Sequence, residues 1–232
     1  MAGFGFKNVG FVGSLGGGGA APAGPDVPMN LATLRTMDTA SVRVPGFGSV
    51  MPGGSYTIEI WANAALMQDS SLFSINLADG ENRLQSHYMY INGRTYYDSG
   101  SVSAGGRLDF PTPAAWSGAN VHLALMVDLA AAQMRWYANA VLIAQSGTAT
   151  PFTPVAVDLL LGNGTGRLQG KMGEFRVWNK LRTVAELQAD MNLSINAPRP
   201  NLVGCWRMDE AATAVGTQIL DRSGNNYHGI VY

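Results

Sequence analysis

The sequence predicts an all-β fold: a two-sheet antiparallel jelly-roll sandwich with one short helix and an extended N-terminal arm. Three observations predict it. Charged residues make up only 13% of the 232 residues while glycine supplies 29, a balance that suits short strands and tight turns. From residue 31 onward, apolar residues recur with period two between clusters of Gly, Pro and Asn. A single stretch carries helix signals. With 47% hydrophobic residues, the chain can build one large core.

Residues 1–30 read as the arm and residues 31–232 as the sandwich. The arm is Gly-rich, so it lacks the side chains for a core of its own. It nevertheless carries Phe4, Phe6, Phe11 and Val12, more apolar groups than an inert linker needs. That spacing suits an assembly arm laid along a neighbouring surface, with an inert tail as the alternative. Its short apolar runs are broken by Gly, which makes a poor signal-peptide core. Pro22, Pro25 and Pro28 stiffen the exit.

The strands follow in order. Ser41 to Val44 is stopped by Pro45-Gly46. Ser55 to Asn63 (SYTIEIWAN) alternates, with Tyr56, Ile58 and Ile60 on one face and Thr57, Glu59 and Trp61 on the other. Ser71 to Leu77 is next. His87 to Ile91 and Thr95 to Tyr97 flank Asn92-Gly93, a hairpin signal. Val121 to Leu129 is strongly apolar, and Met134 to Tyr137 with Val141 to Ala144 flank a second turn at residues 138–140. Val155 to Leu161, Phe175 to Trp178 and Leu202 to Arg207 complete the set. Thr183 with Glu186 three residues on forms a capping box. Val184, Leu187 and Met191 share a face behind it, so a helix over 183–192, lying across a sandwich edge, is predicted.

Several function classes drop out. A net charge of −1 and a pI near 6.3 argue against phosphate-driven nucleic-acid binding. No run approaches the roughly 18 apolar residues of a membrane-spanning helix. The lone Cys205, set in LVGCW, forms no intrachain disulfide or thiolate zinc cluster and reads as a small core hydrophobe.

Residues 170–210 contain Val177-Trp178-Asn179, then Thr183 to Met191, then Leu202 to Glu210 ending in WRMDE. This resembles the closing section of laminin-G-like and pentraxin-like domains of the concanavalin A type. Trp116 to Ala144, with Tyr137 and Asn139, resembles the central hairpin of that family, although Ala140 stands where Gly is usual. SYTIEIWAN resembles its second strand. The likeness spans about residues 31–232. The tail DRSGNNYHGIVY resembles a sequence that usually opens such domains, which implies a strand closing this chain or one given to a neighbour. The fold hosts lectins, glycosidases, adhesion modules and structural proteins, so it does not fix function.

The glucanases of this family use an E-x-D-x-x-E strand, and no such spacing occurs here. Glu59 stands alone in its strand, and Asp209 and Glu210 are adjacent, which in a strand sends them to opposite faces. His87, His122 and His228 are far apart, and His122 lies in an apolar strand. No G-x-S-x-G, H-E-x-x-H or P-loop is present, so no enzyme is predicted. The resemblance also implies a possible calcium site. Of the usual acidic run only Asp38 remains, Gly173 replaces a frequent Asp, and a different site around Asp79, Glu81 and Asn82 competes with a plain polar turn. No cofactor is otherwise required.

The stretch HYMYINGRTYYDSG gathers His87, Tyr88, Tyr90, Asn92, Arg94, Tyr96, Tyr97 and Asp98 around one hairpin. Tyrosine faces stack on sugar rings while Asn and Asp take hydroxyl hydrogen bonds; alternatively these tyrosines simply pack the sandwich. Two function classes therefore stand. One is a structural module of a multi-subunit surface assembly such as a virion, self-associating or joining other subunits through Phe4, Phe6 and Phe11. The other is a lectin or adhesin that binds cell-surface glycan through the tyrosine hairpin.

Overall fold

The computed structural model describes residues 25–76, 81–211 and 214–232. In chain order the first strands are β1 (Val27–Pro28), β2 (Arg35–Thr36), β3 (Val42–Val44), β4 (Tyr56–Asn63), β5 (Phe73–Asn76) and β6 (Arg83–His87). Next come β7 (Arg94–Gly100), β8 (Arg107–Pro111), β9 (Val121–Asp128), β10 (Gln133–Ala138), β11 (Val141–Gln145) and β12 (Leu159–Leu161). The chain continues through β13 (Lys171–Trp178), α1 (Val184–Asp190), β14 (Leu193–Ser194), β15 (Leu202–Trp206), β16 (Gln218–Ile219) and β17 (Gly229–Val231).

Two antiparallel sheets face each other. One runs β16-β17-β3-β12-β5-β6-β7-β8; the other runs β11-β10-β9-β4-β13-β15, with β2 added on β13. Between them lies one continuous apolar core, because each strand sends alternate side chains inward. On β4 these are Tyr56, Ile58, Ile60 and Ala62, and on β9 Val121, Leu123, Leu125 and Val127. Rings knit the layers: Phe47 meets Trp206 edge-on at 4.9 Å and Phe73 meets Phe175 at 5.2 Å.

One strand breaks the alternation. Met172 and Phe175 both face the core though they are three apart, so β13 must absorb an extra residue. Its register against β4 slips between Gly173 and Arg176, and Glu174 takes φ +52°. The bulge sets Glu174 and Arg176 side by side on the outer face, 3.0 Å apart.

α1 does not lie across a sandwich edge. It sits on the outer face of the β4-containing sheet, where Leu187 packs on Ala124, Met126 and Ala140. That position follows from the small and slender side chains on β9, which leave room for a helix. The expected capping box is formed, with Thr183 Oγ1 accepting from the Glu186 amide and Glu186 accepting from the Thr183 amide. The strand expected over His87–Ile91 ends at His87, because Met89 adopts φ +52° and Tyr90 pairs with Gln68 instead. β8 was not anticipated. The C-terminal strand pairs within this chain: Ile230 and Val231 lie beside Arg43 and Val42 of β3. Residues 25–28 pack on the domain through β1–β14 pairing and the Asp26–Arg199 ion pair.

Candidate functional site

Two polar constellations form on the outward faces of the two sheets. The first crosses β5 to β8. Registers Ser74↔Gln85, His87↔Tyr96, Gln85↔Asp98, Tyr96↔Asp109 and Asp98↔Arg107 place these side chains on one face, opposite the core-facing Leu84, Tyr97 and Leu108. His87, Tyr90 and Tyr96 form a ring trio. His87 lies 4.9 Å from Tyr90 and 6.0 Å from Tyr96, and the two tyrosines meet at 5.7 Å and 90°. The Arg107 guanidinium sits 5.1 Å from the Tyr96 ring centre.

Hydrogen bonds hold the trio in place. Asn92 Nδ2 donates to Tyr96 Oη at 2.6 Å. His87 Nδ1 lies 3.0 Å from the Ser70 carbonyl, which assigns the proton to Nδ1 and leaves Nε2 as the acceptor of the neutral ring. Burial lowers the His87 pKa below its ordinary 6.5, against the opposing pull of the Ser70 carbonyl. Asp69 bonds Tyr90 and raises its pKa. Gln85 Nε2 donates to Ser71 Oγ at 2.7 Å. Arg107 grips Asp98 through two bonds of 2.7 Å, and Arg94 pairs with Asp109. Tyr90, Tyr96, Asn92 and Arg94 keep part of their surface in solvent. Further along the same face, a depression of about 570 Å³ is lined by Ser74, Asn76, Val157, Asp158, Leu160 and Gly164.

The second constellation lies on the other sheet beneath α1 and the segment that follows it. Glu59 is fully buried. Its carboxylate lies 3.0 Å from Arg182 Nε, 3.5 Å from Arg176 and 3.4 Å from His122 Nε2. Outward from it run alternating charges: Arg182 to Asp190 to Arg199 to Asp26 on one side, and Arg176 to Glu174 to Arg207 to Asp209 on the other. Burial works to raise the Glu59 pKa, but His122, Arg176 and Arg182 outweigh it and hold it low. Arg182 also lies 4.2 Å from the Trp178 ring centre. Glu59 is therefore a tie between strands, not the solitary residue its own strand suggests, and it has no access to a ligand. Cys205 is buried on this side against Trp178, Ile195 and Leu202, and burial pushes its thiol pKa well up.

Of the eight hairpin residues read from sequence, His87, Tyr90, Asn92, Arg94, Tyr96 and Asp98 gather at the first constellation. Tyr88 and Tyr97 turn into the core instead. Tyr88 stacks on Trp116 at 5.6 Å, and Tyr97 donates to Tyr56 Oη at 3.0 Å. Sequence reasoning missed Gln85, Arg107, Asp109 and Arg83, whose guanidinium lies 3.4 Å from Asp98; the alternation in Arg83–His87 and Arg107–Pro111 was the available signal. The calcium candidates that are described make bonds within the chain. Asp38 accepts from the Gly170 amide, Glu81 from Ser101 and Ser103, and Asn82 brackets Thr153, while Asp79 lies outside the described residues. Among the described residues no group of three or more His, Cys, Asp or Glu is arranged to hold a metal. Phe4, Phe6 and Phe11 also lie outside the described residues.

A family model described as concanavalin A-like lectin/glucanases superfamily matches residues 36–188. The chain belongs to that superfamily. No curated protein sequence matches. Among solved structures, this concanavalin A-like domain is similar to a Bacteroides ovatus protein provisionally described as carbohydrate binding. The TM-score is 0.66 at 19% identity, covering 84% of this chain and 56% of the other. The chain thus spans just over half of that protein. It is also similar to domain 4 of AbnA, an extracellular arabinanase of Geobacillus stearothermophilus solved with arabinotriose. There the TM-score is 0.50 at 21% identity, covering 64% of this chain and 71% of the other. A heptameric SAP-like pentraxin of Limulus polyphemus aligns at TM-score 0.50 and 12% identity, covering 85% and 92%. At these identities the likeness establishes the concanavalin A-like fold.

Proposed function

We propose that this domain is a non-catalytic module that binds carbohydrate through the outer face of β5 to β8. The observation that carries the reading is the His87–Tyr90–Tyr96 trio: three rings held by hydrogen bonds, the two tyrosines partly open to solvent, and bordered by amide and guanidinium groups. A sugar offers apolar C–H faces and hydroxyl edges, which match a fixed aromatic platform with a few placed polar groups. Fixing the rings beforehand lowers the ordering cost of binding. Asp98 and Asp109 are each engaged by guanidinium groups, which favours binding over hydrolysis, since hydrolysis requires two carboxyl groups facing the scissile bond. Membership of a superfamily that includes lectins supports the reading, as does the likeness to a Bacteroides ovatus protein described as carbohydrate binding and to an arabinanase domain solved with arabinotriose. The assembly reading rests on Phe4, Phe6 and Phe11, and no feature of the described residues favours it.

The test is a mixed-glycan array probed with the full chain, with and without EDTA, beside Tyr96→Ala. Retention of a set of glycans by the wild type, insensitive to EDTA and lost in the variant, supports the proposal. Equal retention by Tyr96→Ala would place binding elsewhere. An empty array would remove the reading.

A further inference from the structure

Every arginine on the outer face of β5 to β8 is already answered by a carboxylate. Arg107 holds the two oxygens of Asp98 at 2.7 Å each, and Arg83 lies 3.4 Å from the same group. Arg94 Nε donates to Asp109 Oδ2 at 2.5 Å. Farther across the sheet, Arg43 lies 3.7 Å from Asp158. No lysine occurs between residues 73 and 111. His87 adds no charge at neutral pH, because burial holds its pKa below 6.5. Beside the rings an acid is in surplus. Exposed Asp69 bonds Tyr90, and among the described residues it forms no ion pair with an arginine or lysine.

A sugar that carries a carboxylate, such as a uronic or sialic acid, is best held by a guanidinium with free N–H groups. On this face it would have to displace an existing carboxylate and approach Asp69 and Asp109. Like charges brought together at a binding surface exclude the wrong ligand. A neutral sugar meets no such opposition, and the face still offers it acceptors. Asp109 is the clearest of these. It stands directly opposite Tyr96 in the β7–β8 pairing. Both contacts from Arg94 fall on Asp109 Oδ2, so Oδ1 makes no hydrogen bond among the described residues, and the side chain is 35% exposed. An oxygen so placed can accept a sugar hydroxyl while the neighbouring ring meets the C–H face.

Taking the sugar reading of this face as the premise, we infer that it selects neutral, hydroxyl-rich sugars against those bearing a carboxylate. Asp109 sets the choice: its charge occupies Arg94, and its Oδ1 receives a sugar hydroxyl.

The probes are neutral glycans and their uronic acid forms, in which the C6 hydroxymethyl group is oxidised to a carboxylate. Both are printed on one array and exposed to the full chain at pH 7 in about 0.1 M salt. The wild type is expected to retain neutral members and to hold each acidic counterpart roughly tenfold less or weaker still. Asp109→Asn releases Arg94, so the acidic-to-neutral ratio should rise roughly tenfold. Adding Arg94→Gln to that variant should cancel the rise, which a mere loosening of the β7–β8 edge would not do. Acidic members retained as well as neutral ones by the wild type, and lost in Tyr96→Ala, would overturn the selection by charge and leave the sugar site standing. An unchanged ratio in Asp109→Asn that melts as the wild type does would overturn the role of Asp109. Retention of neither member by the wild type would remove the sugar reading and this inference with it.

Discussion

The two outward faces of this sandwich carry similar chemistry under opposite conditions. Under α1, Glu59 and Arg176 are sealed from solvent, and each charge is answered by another. Across β5 to β8, Asp98 is equally buried and equally answered by Arg107, yet Tyr90, Tyr96 and Asn92 beside it remain partly open. Ion pairs alone therefore do not mark a site. What separates the two regions is a cover. The segment from Asn179 to Asn201 closes one face, with Arg176 donating to the carbonyls of Asp190 and Leu193 and Trp61 to that of Met191. The other face has rings and hydrogen-bonding groups at its surface.

The comparison predicts that damage to the two faces separates stability from binding. The largest effect should come from Arg176→Met, which takes from Glu59 and Glu174 the buried guanidinium they share. A loss of about 3–5 kcal/mol in urea unfolding is expected, with glycan retention by the folded fraction unchanged. Truncating the contact that seats the cover, Leu187→Ala, should cost about 2–4 kcal/mol and likewise spare binding. On the open face, Tyr96→Ala should weaken binding roughly tenfold or more while moving the melting temperature far less than either.

Acid sharpens the contrast. Burial lowers the His87 pKa below 6.5, so the stability contributed by its neutral form is complete above pH 6.5 and declines as pH falls through the lower folded value. Glu59 and Asp190 are also held below their ordinary 4.5 and 3.8. Burial opposes this in both; His122 with Arg176 and Arg182 outweighs it for Glu59, and Arg199 with Arg182 for Asp190. Their contribution is complete above those values and is lost only as pH falls through the lower folded ones. Melting temperature against pH should thus show two declines. His87→Gln should erase the first and leave the second. The smallest effect is expected from Thr183→Ala, which removes the α1 cap and should cost about 1 kcal/mol, read by thermal unfolding.

Much of the fold was legible because local rules agreed with it. SYTIEIWAN alternates as β4 does, and the Thr183–Glu186 box starts α1 at the expected residue. Tyr96 and Tyr97 could be separated by alternation alone, since neighbours on a strand face opposite ways, yet reading the hairpin as one cluster joined them. What stayed hidden was non-local. Glu59 meets Arg176 and Arg182 only through sheet pairing and the return of the chain over the sheet. Met89 ends β6 through a left-handed backbone that its side chain does not announce. β8, with Arg107 and Asp109, escaped notice because its charges look solvated until β7 lies beside it.

Amide hydrogen exchange on the full chain, with and without the strongest array glycan, tests the separation of the two faces most directly. Slower exchange confined to peptides covering residues 83–98, with residues 171–199 unchanged, is the predicted result. Protection of residues 171–199 without change in 83–98 would contradict the assignment of the open face as the binding site.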